Sequence, residues 1–117
     1  MTTISQKIID HYKNPLNFGR LKNFTHSAEG SDASCGDQIK IQLNVENGKV
    51  KEIRFQGEGC ALCIGVCSML TEKVKGMALE KIKRLDDNLL RQLAGKISPG
   101  RRKCVQLPLT VLKKAVV

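Results

Sequence analysis

The chain has 117 residues, a length that suits one domain spanning 1–117. With 41% apolar and 26% charged residues, and only 10 Gly and 3 Pro, it is neither disordered nor collagen-like. The net charge is +9, no apolar run is long enough to cross a bilayer, and MTTISQKIIDHY holds no continuous apolar stretch of a secretory signal, so no membrane association and a cytoplasmic location are expected.

Residues 3–13 predict an amphipathic helix with Ile4, Ile8 and Tyr12 on one face. Thr3 and Gln6 match a capping box, and Asn14-Pro15 ends the helix. Residues 14–34 read as loop with at most one short strand. In residues 38–45, Ile39, Ile41, Leu43 and Val45 alternate with polar residues, the mark of a half-buried strand. Asn47-Gly48 signals a tight hairpin turn. The return strand, about 49–56, carries Ile53 and Phe55 in one phase and Val50 in the other. A two-residue turn would set Leu43 against Glu52, so an irregularity near Val50–Glu52 is predicted.

After Gly57-Glu58-Gly59 a buried helix is predicted from Cys60 to about Lys75, with Gly76 as its cap. Shorter helices follow near 78–84 and 87–94, the second between Asp86 and Gly95. A connector holds Pro99-Gly100. The last helix is expected from about 106 to 116 with Pro108 in its first turn.

Charge is uneven. Residues 1–69 carry 8 Lys/Arg against 7 Asp/Glu, whereas residues 70–117 carry 12 against 4. The second half is therefore a solvated basic face or a docking surface for an acidic partner. A nucleic-acid module ranks low: no reading motif is present, and four aromatics are too few for a base-stacking platform. No specific nucleic acid is expected as a partner.

Five cysteines, an odd number in a reducing compartment, argue against a disulfide framework and for metal or thiol chemistry. Cys35 lies in Ser-Cys-Gly-Asp, two residues before Asp37, a spacing from which both side chains can converge at a tight bend. Cys60 starts a helix, where unsatisfied N–H groups favour a thiolate. Cys104 follows Arg101-Arg102-Lys103 at or just before the last helix. Zinc-finger spacing is absent. Cys63 and Cys67 share a helical face with Cys60; burial as small hydrophobes is the leading reading for them, and a ligand or sulfur-relay role the lesser one. His11 reads as a packing or surface residue, and no hydrolase, nucleotidase or dinucleotide motif is found.

The segments HYKNPLNFGRL (11–21), ASCGDQIKI (33–41), GEGCALCIGVCSMLTEKVKG (57–76) and Lys103-Cys104 resemble the U-type iron–sulfur cluster scaffolds: IscU, SufU and the N-terminal domain of NifU. The resemblance covers nearly the whole chain. It implies an α+β fold, a small antiparallel three-stranded sheet with helices packed on one face. It implies convergence of Cys35, Asp37, Cys60 and Cys104 at one exposed end, where a transient [2Fe–2S] cluster is assembled from iron and from persulfide sulfur, or Zn²⁺ is held when no cluster is present. The implied partners are a cysteine desulfurase and recipient apo-proteins, and the implied state is a monomer or weak homo-oligomer.

Two functions follow. One is a scaffold and carrier, not a turnover enzyme, that builds and hands on clusters. Within it Cys104 is the expected sulfur acceptor, for its basic neighbours and the accessibility of a helix start. The alternative is a zinc-bound sulfur acceptor of SufU type, a sulfurtransferase. Lys103, where IscU-type members carry His, is more like SufU; the short interval between Cys60 and Cys104 is more like IscU. The chaperone motif of IscU is replaced by ISPGR at 97–101, which speaks against a dedicated Hsp70-type chaperone.

Overall fold

The computed structural model describes residues 5–33 and 36–117. Their order is α1 (Gln6–Lys13), β1 (His26–Asp32), β2 (Asp37–Glu46), β3 (Lys49–Glu58), α2 (Ala61–Lys73), α3 (Leu79–Lys83), α4 (Asp87–Ala94), a 3₁₀ turn (Pro99–Arg101) and α5 (Arg102–Ala115). The strands form one antiparallel sheet in the order β1-β2-β3. The α+β class and the three-stranded sheet are as expected.

The hairpin follows from the hydrophobic phase. Asn47 and Gly48 both take positive φ, 55° and 73°, as the tightest hairpin turn requires. Glu46 then pairs with Lys49 and Val45 with Val50, but Asn44 pairs with Glu52, so Lys51 is the extra residue of a bulge. Beyond it Leu43 meets Ile53 and Ile41 meets Phe55, and all four are buried on one face. Each such side chain contributes about 1.5–3 kcal/mol by leaving water.

β1 shows almost no hydrophobic alternation because its inward residues are small. A Cβ on Gly30 would lie 2.9 Å from Val111 and 3.6 Å from Leu107, so α5 seats directly on that strand. α5 crosses β1 and β2, while α2 packs against β3 and α5. The helix α2 is buried from Leu62 to Thr71, as its apolar first half demands, with Ser68 and Thr71 as buried polar residues. It comes so close to α1 that a Cβ on Gly65 would sit 2.6 Å from the carbonyl oxygen of Ile8. The hydroxyl of Ser68 accepts the backbone N–H of Leu16 (2.8 Å) and pairs with His11 Nδ1 (2.7 Å), locking the segment after α1 onto α2. Burial, with Lys7 nearby, lowers the His11 pKa, and His11 is a packing residue.

Several boundaries differ from expectation. Ser5 caps α1 through the Ile8 N–H; Thr3 and Ile4 lie outside the described residues, and Tyr12 is exposed rather than in the buried stripe. α2 ends at Lys73 with Val74 as its cap, and Gly76 follows with φ 77°. The largest change is in α5, which begins at Arg102 and carries Pro108 in its interior. The proline that opens this region is Pro99, at the start of the 3₁₀ turn. Pro108 lacks the N–H that would bond the Cys104 carbonyl one turn back, and the apolar contacts of α5 hold the helix together there.

Candidate functional site

Three of the four expected site residues are described, and they come from three elements. Asp37 opens β2, in register opposite Asp32, and is fully buried. Cys60 follows β3 and is the N-cap of α2, with extended backbone (φ −70°, ψ 162°). Cys104 is the third residue of α5. Their ligand atoms, one carboxylate oxygen and two Sγ, all lie within 4.8 Å of one another. Cys35 lies outside the described residues.

The backbone enforces this approach. The Cys60 N–H donates to Asp37 Oδ1 at 3.0 Å, and Cys60 Sγ lies 3.9 Å from Oδ2. That contact needs Gly59, where a Cβ would fall 2.5 Å from Asp37 Oδ1 and 2.9 Å from its Cγ. Cys60 Sγ in turn accepts the N–H of Cys63 at 3.4 Å, satisfying one of the orphan donors of the α2 start. The sequence expectation missed Gly59, having read Gly57-Glu58-Gly59 only as a strand break; a glycine directly before a candidate ligand was the available signal.

Exposure divides Cys60 and Cys104 differently from expectation. Cys60 is exposed, whereas Cys104, inside α5 rather than before it, is only 9% exposed. The accessibility argued for Cys104 therefore belongs to Cys60. Arg101, Arg102 and Lys103 are exposed beside Cys104, as the basic run implied.

Cys63 and Cys67 are both fully buried, and neither belongs to the converging ligand atoms. Burial above all, then the charge of Asp37 and of the other cysteines, pushes the Cys63 thiol far above its ordinary range; burial alone does the same for Cys67. Both are thiols at neutral pH.

Two sulfurs and a carboxylate are donors for zinc or for iron of a cluster. Thiolates around tetrahedral zinc stand about 3.8 Å apart, given bonds of about 2.3 Å. The observed spread closes to that with shifts of about 1 Å, so the residues fit such a metal. No helix among the described residues is long and apolar enough to cross a membrane.

Comparison with known proteins places this architecture. The model of the NifU-like N terminal domain family matches residues 3–117. The chain is 32% identical over 114 residues to the iron–sulfur cluster assembly scaffold protein IscU of Aquifex aeolicus, covering 96% of this chain and 73% of that protein. It is also 32% identical to the zinc-dependent sulfurtransferase SufU of Bacillus subtilis, covering 98% of this chain and 90% of SufU. That alignment spans 133 positions, more than the 117 of this chain, so SufU carries residues lacking here. Among solved structures, a candidate iron–sulfur cluster assembly scaffold of the SUF system from Fervidobacterium islandicum superposes with a TM-score of 0.81 at 25% identity, covering 97% of this chain and 96% of that one. By the span of the match and the identity to these relatives, this chain belongs to the NifU-like N-terminal domain family, the U-type group that includes IscU and SufU.

Proposed function

We propose that this chain is an iron–sulfur cluster assembly scaffold. It takes persulfide sulfur from a cysteine desulfurase, binds iron, assembles a [2Fe–2S] cluster on Cys35, Asp37, Cys60 and Cys104, and passes it to apo-proteins. The observation that carries this reading is the convergence of Asp37, Cys60 and Cys104 within 4.8 Å from three separate elements. Cys35, two residues before Asp37 in the sequence, completes the donor set. Exposed Arg101, Arg102 and Lys103 suit the approach of an acidic partner surface and of an anionic persulfide.

Asp37 gives the reading its carrier character. A carboxylate oxygen is a harder, weaker partner for cluster iron than a thiolate, so the cluster is held labile. Anaerobic reconstitution with ferrous iron, cysteine and a desulfurase is expected to give thiolate-to-iron charge-transfer absorption in the desalted protein. Asp37→Ala is expected to keep that absorption severalfold longer under chelator challenge. No iron chromophore in either protein would overturn the scaffold reading; equal lifetimes would overturn the role of Asp37.

The sulfur enters at Cys60, the exposed thiol of the pair. Cys60→Ser is expected to lose most labelled sulfur uptake from the desulfurase, whereas Cys104→Ser retains it, as read by mass spectrometry of the desalted chain. The opposite pattern would return the acceptor role to Cys104.

The similarity to SufU and the Lys103 position support a second reading, a zinc-bound sulfur acceptor on the same residues. Retained zinc, faster desulfurase turnover and no iron chromophore would select it. The residues that SufU has and this chain lacks weigh toward the scaffold.

A further inference from the structure

A persulfide delivers sulfur at the sulfane level, and a cluster contains sulfide. Two electrons must therefore reach each sulfur before it can bridge iron. Cys60 and Cys63 form a Cys-Ala-Leu-Cys pair at the start of α2. Cys60 is the exposed N-cap; Cys63, three residues on, is fully buried. The Cys63 N–H holds Cys60 Sγ at 3.4 Å, so that sulfur rests at the foot of the Cys63 side chain. An N-cap residue and the third residue of its helix stand about one turn apart, about 5–6 Å between Cα atoms, within the range a disulfide spans. Cys63 is not among the converging ligand atoms, so its own sulfur is not needed to hold a metal there.

We propose that Cys63 is a resolving thiol that reduces a persulfide on Cys60 and releases sulfide beside the assembly site. This rests on the scaffold reading above. The Cys63 thiol passes its proton to the terminal sulfur of the anionic Cys60 persulfide, and the Cys63 Sγ so freed attacks Cys60 Sγ, the inner sulfur. The bond to the terminal sulfur breaks, and its electron pair leaves with that sulfur, which departs as hydrosulfide carrying the Cys63 proton. The sulfane sulfur gains two electrons, and the two cysteines lose them as a Cys60–Cys63 disulfide. The inner sulfur is the target because the Cys63 backbone is anchored to it, whereas the terminal sulfur projects toward the solvent that reaches Cys60. An external dithiol then reduces the disulfide by exchange. Until it does, Cys60 cannot serve as a ligand, so each sulfide released commits the protein to one reducing step. The burial of Cys63 keeps small oxidants from it, and the one sulfur held against its backbone is that of Cys60.

The test uses a desulfurase charged with persulfide, desalted free of cysteine, and mixed with the reduced full chain without other reductant. Wild type is expected to release one sulfide for each sulfur accepted and to show a Cys60–Cys63 disulfide on peptide mapping. In Cys63→Ala the sulfur stays on Cys60 as persulfide, and sulfide release falls by about tenfold or more as an intramolecular reaction is lost. Cys67→Ala, which alters an equally buried thiol away from Cys60, releases sulfide as wild type does. Persulfide persisting on wild type, or undiminished release from Cys63→Ala, would overturn the proposal. Should Cys63→Ala fail to fold, the wild-type peptide map decides alone. Loading with ferrous iron and inorganic sulfide bypasses this step: wild type and Cys63→Ala both acquire the chromophore if the scaffold reading holds, and wild type does not acquire it if that reading fails.

Discussion

Gly65→Ala is expected to lower the Tm by roughly 8 °C, a loss of about 2 kcal/mol. The sign is informative, because alanine in place of a mid-helix glycine ordinarily stabilises by about 0.8–1 kcal/mol. Here the added Cβ would lie 2.6 Å from the Ile8 carbonyl oxygen and 2.7 Å from Ile8 Cγ2. The side-chain atom can turn away, but the backbone oxygen moves only with α1. Ile8 is the one buried side chain of the α1 helix, so displacing the helix also uncovers that anchor. Trimming the anchor with Ile8→Ala in the same chain therefore does not rescue the loss. Thermal melts followed by circular dichroism check both variants; an unchanged or raised Tm for Gly65→Ala would show that the two helices separate freely.

Gly59→Ala is expected to act on the site more than on the fold. Its Cβ would occupy the space of the Asp37 carboxylate, 2.5 Å from Oδ1, and break the bond that the Cys60 N–H makes to it. Either Asp37 turns out of the cluster of donors or Cys60 is pushed away from it. Zinc affinity, measured by competition with a chromophoric chelator, should fall about 10–100-fold, as when a residue that orients a metal ligand is lost. The Tm should fall less than for Gly65→Ala, since Gly59 precedes α2 and the atoms nearest its added Cβ are side-chain atoms of Asp37 rather than backbone. Unchanged zinc affinity would mean that Asp37 and Cys60 need not touch in order to bind metal together.

Much of this architecture was legible in the sequence, and the failures share a cause. The hairpin and its irregularity were readable because Ile41, Leu43, Ile53 and Phe55 must share a face, which a bulge or a longer turn achieves; the structure uses the bulge. Asp86 and Gly95 bracket α4 as local chemistry dictates. By contrast β1 was only half visible: its central inward positions are Ala28 and Gly30, and α5 seats directly on Gly30, so the alternation a strand normally shows is missing. The start of α5 was misjudged for a similar reason. Pro108 was given the place at a helix start that Pro99 occupies, and buried contacts along α5 override the local preference. That error also exposed Cys104 on paper, whereas the fold buries it. In the candidate site, residue types and helix-start positions could be read locally. The Gly59 approach to Asp37 could not, since it joins residues 22 positions apart.

The seating of α5 on Gly30 bears on how the chain is made. Synthesis runs from the N-terminus, and α5 is the latest of the described elements to emerge. β1 and β2 wait with an uncovered apolar face until Leu107 and Val111 arrive to cover it. Cys104 travels on that same helix, so closure of the core and completion of the donor set are one event. On the metal-binding reading proposed above, a growing chain on the ribosome thus presents only part of the donor set until folding is finished.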